Sequence, residues 1–137
     1  MIRDSINIRP RYGEVDRMGY VYHANYITYF HQARTELLRK YGIDDNFLEL
    51  NNIMLPVIEM NTKYLKPSFY DEEITIITTI NEIPSTRFKF NFEVKNSRNE
   101  LVCQAESTLV FCDSISRKPG RIPSLVKDAL INNFEVK

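Results

Sequence analysis

The chain has 137 residues, of which 43% are hydrophobic and 26% charged, and 18 Lys plus Arg balance 18 Asp plus Glu. This composition is typical of a globular protein rather than a disordered or fibrous one, and the length predicts a single domain over residues 1–137. The even charge excludes a general positive field, so we expect no nucleic-acid partner. No apolar segment is long enough to be a signal peptide or a membrane span, and we expect a soluble, cytoplasmic protein.

The first predicted element is a strand over residues 4–13, where apolar and polar side chains alternate. Pro10 has no backbone N–H to donate to a neighbouring strand, so it places this strand at the edge of a sheet. The side chains expected on its buried face are Ile6, Ile8, Pro10 and Tyr12.

A long helix is predicted from Asn25 to Tyr41, with Gly42 as a left-handed stop after it. Its apolar residues recur at steps of three and four, which is the period of one helix face. That face is formed by Tyr26, Phe30, Ala33, Leu37 and Tyr41. Because Ile27, Tyr29 and Leu38 point in other directions, we expect the helix to be buried on several sides.

The remainder of the chain predicts four further strands and a tail helix. The strands are expected over residues 54–66, 72–83, 86–96 and 100–112. Residues 86–96 give the clearest pattern, because phenylalanines alternate with charged and amide side chains. Residues 42–52 are predicted as a loop with one helical turn, and Pro123 to Phe134 as a short amphipathic helix that begins with proline.

The two cysteines are expected to be reduced thiols. Cys103 and Cys112 fall nine residues apart on one predicted strand. At about 3.3 Å per residue they would lie roughly 30 Å apart, well beyond the reach of a disulfide within the chain. A disulfide between two copies of the chain is an alternative that the sequence leaves open.

These elements predict an α+β architecture. Several antiparallel strands with one apolar face need a cover, and the helix over residues 25–41 is the element long and apolar enough to provide it. We therefore expect a curved antiparallel sheet of about five strands wrapped around one long central helix. The apolar sides of the helix that one sheet cannot cover predict a homodimer, or a tetramer built as a dimer of dimers.

The segment before and within the predicted helix carries a motif. It consists of Asp16, Gly19 and the run Val21-Tyr22-His23-Ala24-Asn25-Tyr26, followed by Phe30, Ala33 and Arg34. This segment resembles the hot-dog-fold acyl-CoA thioesterases of the 4-hydroxybenzoyl-CoA thioesterase type, and most of all their small bacterial branch associated with the Tol–Pal gene cluster. The resemblance implies a hot-dog fold, an acyl-CoA substrate and an active site between two subunits. It also implies that Asp16 is the catalytic carboxylate and that the backbone amide of His23 polarises the thioester carbonyl.

The chemistry of the residues agrees with this resemblance. The N-terminus of a helix offers backbone N–H groups without intrahelical partners and the positive end of a dipole, so it suits a developing oxyanion. Asp16 lies seven residues before His23, across a turn that contains Gly19. Its carboxylate is expected either to attack the thioester carbonyl or to activate a water, and the sequence does not choose between these routes.

Candidate substrate-binding residues are Gly19, Val21, Tyr22, Asn25, Tyr26, Ser85 and Arg87. Each has an ordinary structural alternative: Asn25 is also a good helix cap, and the tyrosines also suit a hydrophobic core. Arg87 is a candidate for the coenzyme A phosphates together with Lys66, Lys89 and Arg98, because phosphates attract Arg and Lys. Alternating charges on a strand are otherwise a solvated face.

We expect no metal and no redox cofactor. His23 and His31 are eight residues apart, about 12 Å along a helix, which is too far to share one ion. His31 and Gln32 stand near the helix positions where relatives acting on aromatic acyl groups often carry a carboxylate, so short- to medium-chain or small acyl groups are favoured. Arg17-Met18 after the aspartate also departs from many relatives.

Two alternatives from other classes stay open. The first is a hot-dog hydratase that adds water to an enoyl thioester, which would need the His23 side chain as an acid or base. The second is a noncatalytic protein that binds acyl thioesters without releasing the thiol.

Overall fold

The computed structural model describes residues 1–134. Its strands are β1 Ile2–Ile8, β2 Ile53–Met54, β3 Val57–Tyr64, β4 Ile74–Ile80, β5 Arg87–Lys95, β6 Leu101–Asp113 and β7 Pro119–Gly120. Its α-helices are α1 Asn25–Lys40, α2 Asp45–Leu50 and α3 Ser124–Leu130, and short 3-10 turns span Tyr12–Glu14 and Ile131–Phe134. No helix within these residues is long and apolar enough to cross a membrane.

The strands form one antiparallel sheet in the order β1-β4-β5-β6-β2, and β3 and β7 also pair with β6. β6 pairs with several strands because, with 13 residues, it is longer than each of them. The prediction of about five strands is wrong, since residues 1–134 contain seven. β2 and β7 were missed because two residues are too short to show a period, and Pro56 divides the predicted strand 54–66 into β2 and β3.

β1 lies at the edge of the sheet beside β4, as predicted, but it ends at Ile8 rather than at residue 13. The chain leaves the strand because Glu14 accepts a hydrogen bond from the backbone N–H of Arg11, which closes the 3-10 turn at Tyr12–Glu14. Tyr12 is consequently 81% exposed, so the expectation that it lies on the buried face is wrong.

Helix α1 begins at Asn25 as predicted and ends one residue short of Tyr41. Gly42 has φ of +78°, the left-handed conformation that a glycine stop provides, and the N–H of Ile43 returns to the carbonyl of Leu38 at 2.9 Å. The predicted apolar face is buried except for the partly buried Tyr41. Tyr29 and Leu38 are buried within the single chain as well, and only Ile27 stays 46% exposed.

The core joins α1 to the sheet, which gives the α+β arrangement. Phe88, Phe90, Phe92 and Val94 of β5 are all buried, as their alternation predicts. The Phe30 ring of α1 stacks on Phe92 with ring centroids 4.7 Å apart. Burying each such side chain contributes on the order of 2 kcal/mol. Cys103 and Cys112 are both free, and burial raises the pKa of the Cys103 thiol to about 12.

Candidate active site

Asp16 lies in a tight turn that precedes α1. Its Oδ1 accepts the backbone N–H groups of Met18 at 2.9 Å and Tyr20 at 3.2 Å, and its own N–H donates to the Tyr20 carbonyl at 2.7 Å. Gly19 adopts φ of +80°, a conformation that glycine takes without a steric penalty. The turn therefore uses one carboxylate oxygen, and within residues 1–134 the other oxygen accepts no hydrogen bond.

Contacts with distant residues fix the position of this turn. Val15 and Val21 pair as an antiparallel bridge, and Tyr20 pairs with Phe69 in the same way. The N–H of Val21 donates to the carbonyl of Ser68 at 2.8 Å. Residues 15–21 thus form a small hairpin that is bound on one side to the segment after β3.

The start of α1 has no side-chain cap. The N-cap residue is Ala24, and Asn25 is the first helical residue, so the alternative in which Asn25 caps the helix is not realised. The N–H of Tyr22 donates to the Glu14 carbonyl at 2.9 Å, and that of Asn25 donates to the Tyr22 carbonyl at 2.9 Å. Among residues 1–134, the N–H groups of His23 and Ala24 have no acceptor. Two consecutive amides thus remain available at the positive end of the helix dipole.

A cavity of about 320 Å³ lies beside these groups. Its lining residues are Asp16, Tyr20, Val21, His23, Tyr26, Tyr64, Leu65, Lys66 and Pro67. Of the residues selected from the sequence, the structure brings to this one cavity Asp16, Val21, His23, Tyr26 and Lys66. Gly19, Tyr22 and Asn25 belong to the same loop and helix start but do not line it. The cavity combines the Asp16 carboxylate with His23, whose N–H is one of the two available amides.

Tyr64 is a cavity residue that the sequence did not single out. Its hydroxyl donates to the carbonyl oxygen of His23 at 3.2 Å, and its ring lies against the rings of Tyr26 and His23 at 5.7 and 6.0 Å. Burial raises the pKa of Tyr64, so its hydroxyl stays protonated at neutral pH and is a donor. Its place beside the helix start depends on a contact across 41 residues, which no local pattern in the sequence predicts.

Glu14 is a second residue that the sequence did not single out. Its Oε1 accepts the Arg11 N–H at 2.7 Å and the Tyr29 hydroxyl at 3.1 Å. Burial alone would raise the pKa of Glu14, but these hydrogen bonds and the Arg11 charge hold it below its usual value. The ionised carboxylate therefore links the loop to the second turn of α1.

Ser85 and Arg87 lie away from this cavity. They line a separate cavity of about 260 Å³ together with Lys89, and the Ser85 carbonyl accepts the Ile122 N–H at 2.6 Å. Lys66 does line the Asp16 cavity, where its Nζ contacts Glu100 at 2.8 Å. Arg98 lines neither cavity, and its Nε lies 3.7 Å from Glu100. The basic residues selected for phosphate binding therefore do not form one cluster.

Comparisons with known proteins agree on one family. A model described as the thioesterase-like superfamily matches residues 10–130. The chain is 33% identical over 112 residues to the putative acyl-CoA thioesterase YneP of Bacillus subtilis, covering 82% of this chain and 81% of that protein. It is 30% identical over 119 residues to the acyl-CoA thioester hydrolase YbgC of Escherichia coli, covering 87% and 89%.

The fold has solved counterparts. The crystal structure of a DHNA-CoA thioesterase from Staphylococcus aureus superimposes with a TM-score of 0.85 at 29% identity, covering 100% of this chain and 98% of that one. These matches confirm the resemblance to hot-dog thioesterases that the motif in residues 16–34 indicated. The chain belongs to the thioesterase-like superfamily.

Proposed function

We propose that this protein hydrolyses acyl-CoA thioesters to the free acid and coenzyme A, with short- to medium-chain or small acyl groups as substrates. The observation that carries the proposal is that Asp16 and His23 line one cavity of about 320 Å³ where α1 begins. The named activities of the YneP and YbgC relatives support it. In this proposal the sheet curves around α1 as in a hot-dog domain.

The reaction follows from these groups. The thioester carbonyl oxygen accepts hydrogen bonds from the His23 and Ala24 amides, which stabilise the negative charge that develops on it. Asp16 then acts by one of two routes. Its carboxylate attacks the carbonyl carbon, the C–S bond breaks with release of the coenzyme A thiolate, and water hydrolyses the resulting anhydride. Alternatively, Asp16 takes a proton from a water that attacks the same carbon, and the C–S bond then breaks with release of the coenzyme A thiolate, which takes up a proton. Neither route uses a metal or a redox cofactor.

The remaining candidate residues are proposed to bind the substrate. Val21 and Tyr26 contact the acyl group or the adjoining arm of coenzyme A, while Gly19 and Tyr22 shape the loop around it. Ser85 and Arg87 bind a phosphate of the coenzyme, because their cavity presents a hydroxyl, a guanidinium and the nearby Lys89.

A homodimer is part of the proposal, and the edge strand β3 supports it. β3 pairs with β6 on one side, and within residues 1–134 no strand pairs with its other side. Ile58 and Tyr64 on this strand are 50% and 47% exposed. If two copies of β3 pair antiparallel about Asn61, Glu59 of each copy faces Lys63 of the other, which is a favourable cross-strand pair. A tetramer would join two such dimers.

The decisive experiment is a thiol-release assay over a panel of acyl-CoA substrates with wild-type protein and two variants. Asp16→Asn removes the proposed catalytic carboxylate, and turnover should fall by about 10²- to 10⁴-fold. Asp113→Asn is the matched control, because Asp113 also accepts two backbone N–H groups in a turn, at 2.8 and 2.9 Å. Turnover of Asp16→Asn near that of Asp113→Asn would remove Asp16 from the mechanism. Tight acyl-CoA binding by the wild type without thiol release would identify a binding protein instead.

The same panel separates hydrolysis from hydration. In the hydrolase the main chain of His23 is used, so His23→Ala should retain most of the thiol release. A hydratase would convert enoyl-CoA without releasing thiol and would lose this activity when the imidazole is removed.

A further inference from the structure

The backbone carbonyl of Glu14 accepts two hydrogen bonds from the start of α1. One comes from the N–H of Tyr22 at 2.9 Å and the other from the side-chain Nδ2 of Asn25 at 2.8 Å. Asn25 is partly buried and its amide points back to the loop, eleven residues earlier in the chain. Its side chain is therefore already engaged with the protein rather than directed into the Asp16 cavity, which it does not line.

These two bonds bracket the available amides. Tyr22 and Asn25 are held by the same carbonyl oxygen, and His23 and Ala24 lie between them in sequence. On the other side of the segment, the His23 carbonyl is held by the Tyr64 hydroxyl. The short stretch that carries the two N–H groups is thus fixed at both ends and in the middle, although neither N–H is itself bound within residues 1–134.

The side chain of Glu14 reinforces the same attachment. Its carboxylate accepts the hydroxyl of Tyr29, one turn further along α1, at 3.1 Å. Glu14 thereby contacts α1 through its backbone at Asn25 and through its side chain at Tyr29. Glu14 lies two residues before Asp16. The position of the Asp16 carboxylate relative to the start of α1 therefore depends on Glu14.

We propose that Asn25 is a positioning residue that fixes the His23 and Ala24 amides relative to Asp16 through the Glu14 carbonyl, and that it does not contact the substrate. This inference rests on the proposed thioester hydrolysis. An oxyanion site depends on geometry, since a displacement of about 1 Å can cost on the order of 10²-fold in rate. Loss of the Asn25 bond should consequently reduce kcat and leave KM unchanged.

The test compares Asn25→Ala with Asn51→Ala by steady-state kinetics and amide hydrogen exchange. Asn51 is a matched control, because its Nδ2 also donates to a backbone carbonyl, that of Phe47, at 2.8 Å in α2. We expect Asn25→Ala to lower kcat by about 10- to 100-fold with KM within about twofold. It should also speed exchange of the Tyr22 N–H, because the Glu14 carbonyl that accepts this N–H is no longer held to α1 by the Asn25 side chain. Asn51→Ala should change neither quantity.

The outcomes are distinguishable. A raised KM with kcat retained would make Asn25 a substrate contact and overturn the inference, as would unchanged kinetics and unchanged Tyr22 exchange. Wild-type protein that releases no thiol from any acyl-CoA would instead overturn the proposed function on which the inference rests. If Asn25→Ala does not fold, Asn25→Ser serves in its place, because serine suits a helix start but is too short to span to the Glu14 carbonyl.

Discussion

The Tyr64 hydroxyl donates to the carbonyl oxygen of His23 at 3.2 Å, across 41 residues of sequence. This bond connects the end of β3 to the peptide segment that carries the available amides. Tyr64 also lines the Asp16 cavity and belongs to the exposed edge strand of the sheet. One side chain thus contacts the proposed oxyanion site, the cavity and the proposed dimer edge.

Tyr64→Phe should weaken catalysis without unfolding the protein. It removes one hydrogen bond to the His23 carbonyl and keeps the ring packing against Tyr26. A single such bond is worth about 0.5–1.5 kcal/mol, so we expect kcat to fall by about two- to tenfold. Tyr70→Phe is the control, because Tyr70 is 54% exposed and packs edge-on against Tyr12 rather than in the cavity. Equal kinetics for both variants would show that the Tyr64 bond does not position the segment.

Ala24→Pro tests the amides directly. Ala24 has φ of −67°, which proline adopts. Within residues 1–134 its N–H donates to no acceptor, so the substitution removes no hydrogen bond. The variant should retain or raise the melting temperature, because proline restricts the unfolded chain. Since one oxyanion donor is lost, acyl-CoA turnover should fall by about 10²- to 10³-fold. A stable variant with wild-type turnover would place the oxyanion elsewhere.

The proposed dimer edge is tested by a charge swap on β3. Lys63→Glu would place a carboxylate opposite Glu59 of the second copy. The variant dimer should therefore dissociate at a higher protein concentration than the wild-type dimer. The double variant Glu59→Lys, Lys63→Glu restores opposite charges and should recover the dimer. Light scattering after size-exclusion chromatography at low salt measures this, and high salt should reduce the difference. A double variant no better than the single one would exclude this pairing about Asn61.

Acid should destabilise the protein partly through Glu100. The hydrogen bond from Lys66, with further contributions from Asn96 and the Lys66 charge, lowers the pKa of Glu100 from 4.5 to about 2. Because the folded state binds the proton less tightly, the stabilisation is complete above pH 4.5 and is lost as pH falls toward 2. Thermal unfolding across this range should show a shallower loss for Glu100→Gln than for wild type. Parallel curves would show that Glu100 does not contribute.

Local patterns in the sequence are sufficient to predict helix α1 and the buried face of strand β5. The three- and four-residue steps from Tyr26 to Leu37 locate α1 to within one residue at its end, because helix periodicity is a property of neighbouring turns. The alternation from Phe88 to Val94 likewise predicts which face of β5 is buried. The motif around Asp16 and His23 was sufficient to identify the family, since its residues all lie within the short segment 16–34.

Contacts between distant segments decide the rest. Which amides stay available depends on the bonds from Tyr22 and Asn25 to Glu14, and the shape of the cavity depends on Tyr64 to Pro67. The separation of Ser85 and Arg87 from Asp16 likewise follows from how the strands are ordered in the sheet. Spacing along the chain was thus enough to predict helix α1, the buried face of β5 and the family. Which polar groups pair and which stay available follows from the folded arrangement alone, because hydrogen bonds between segments far apart in sequence produce no periodic pattern of residues.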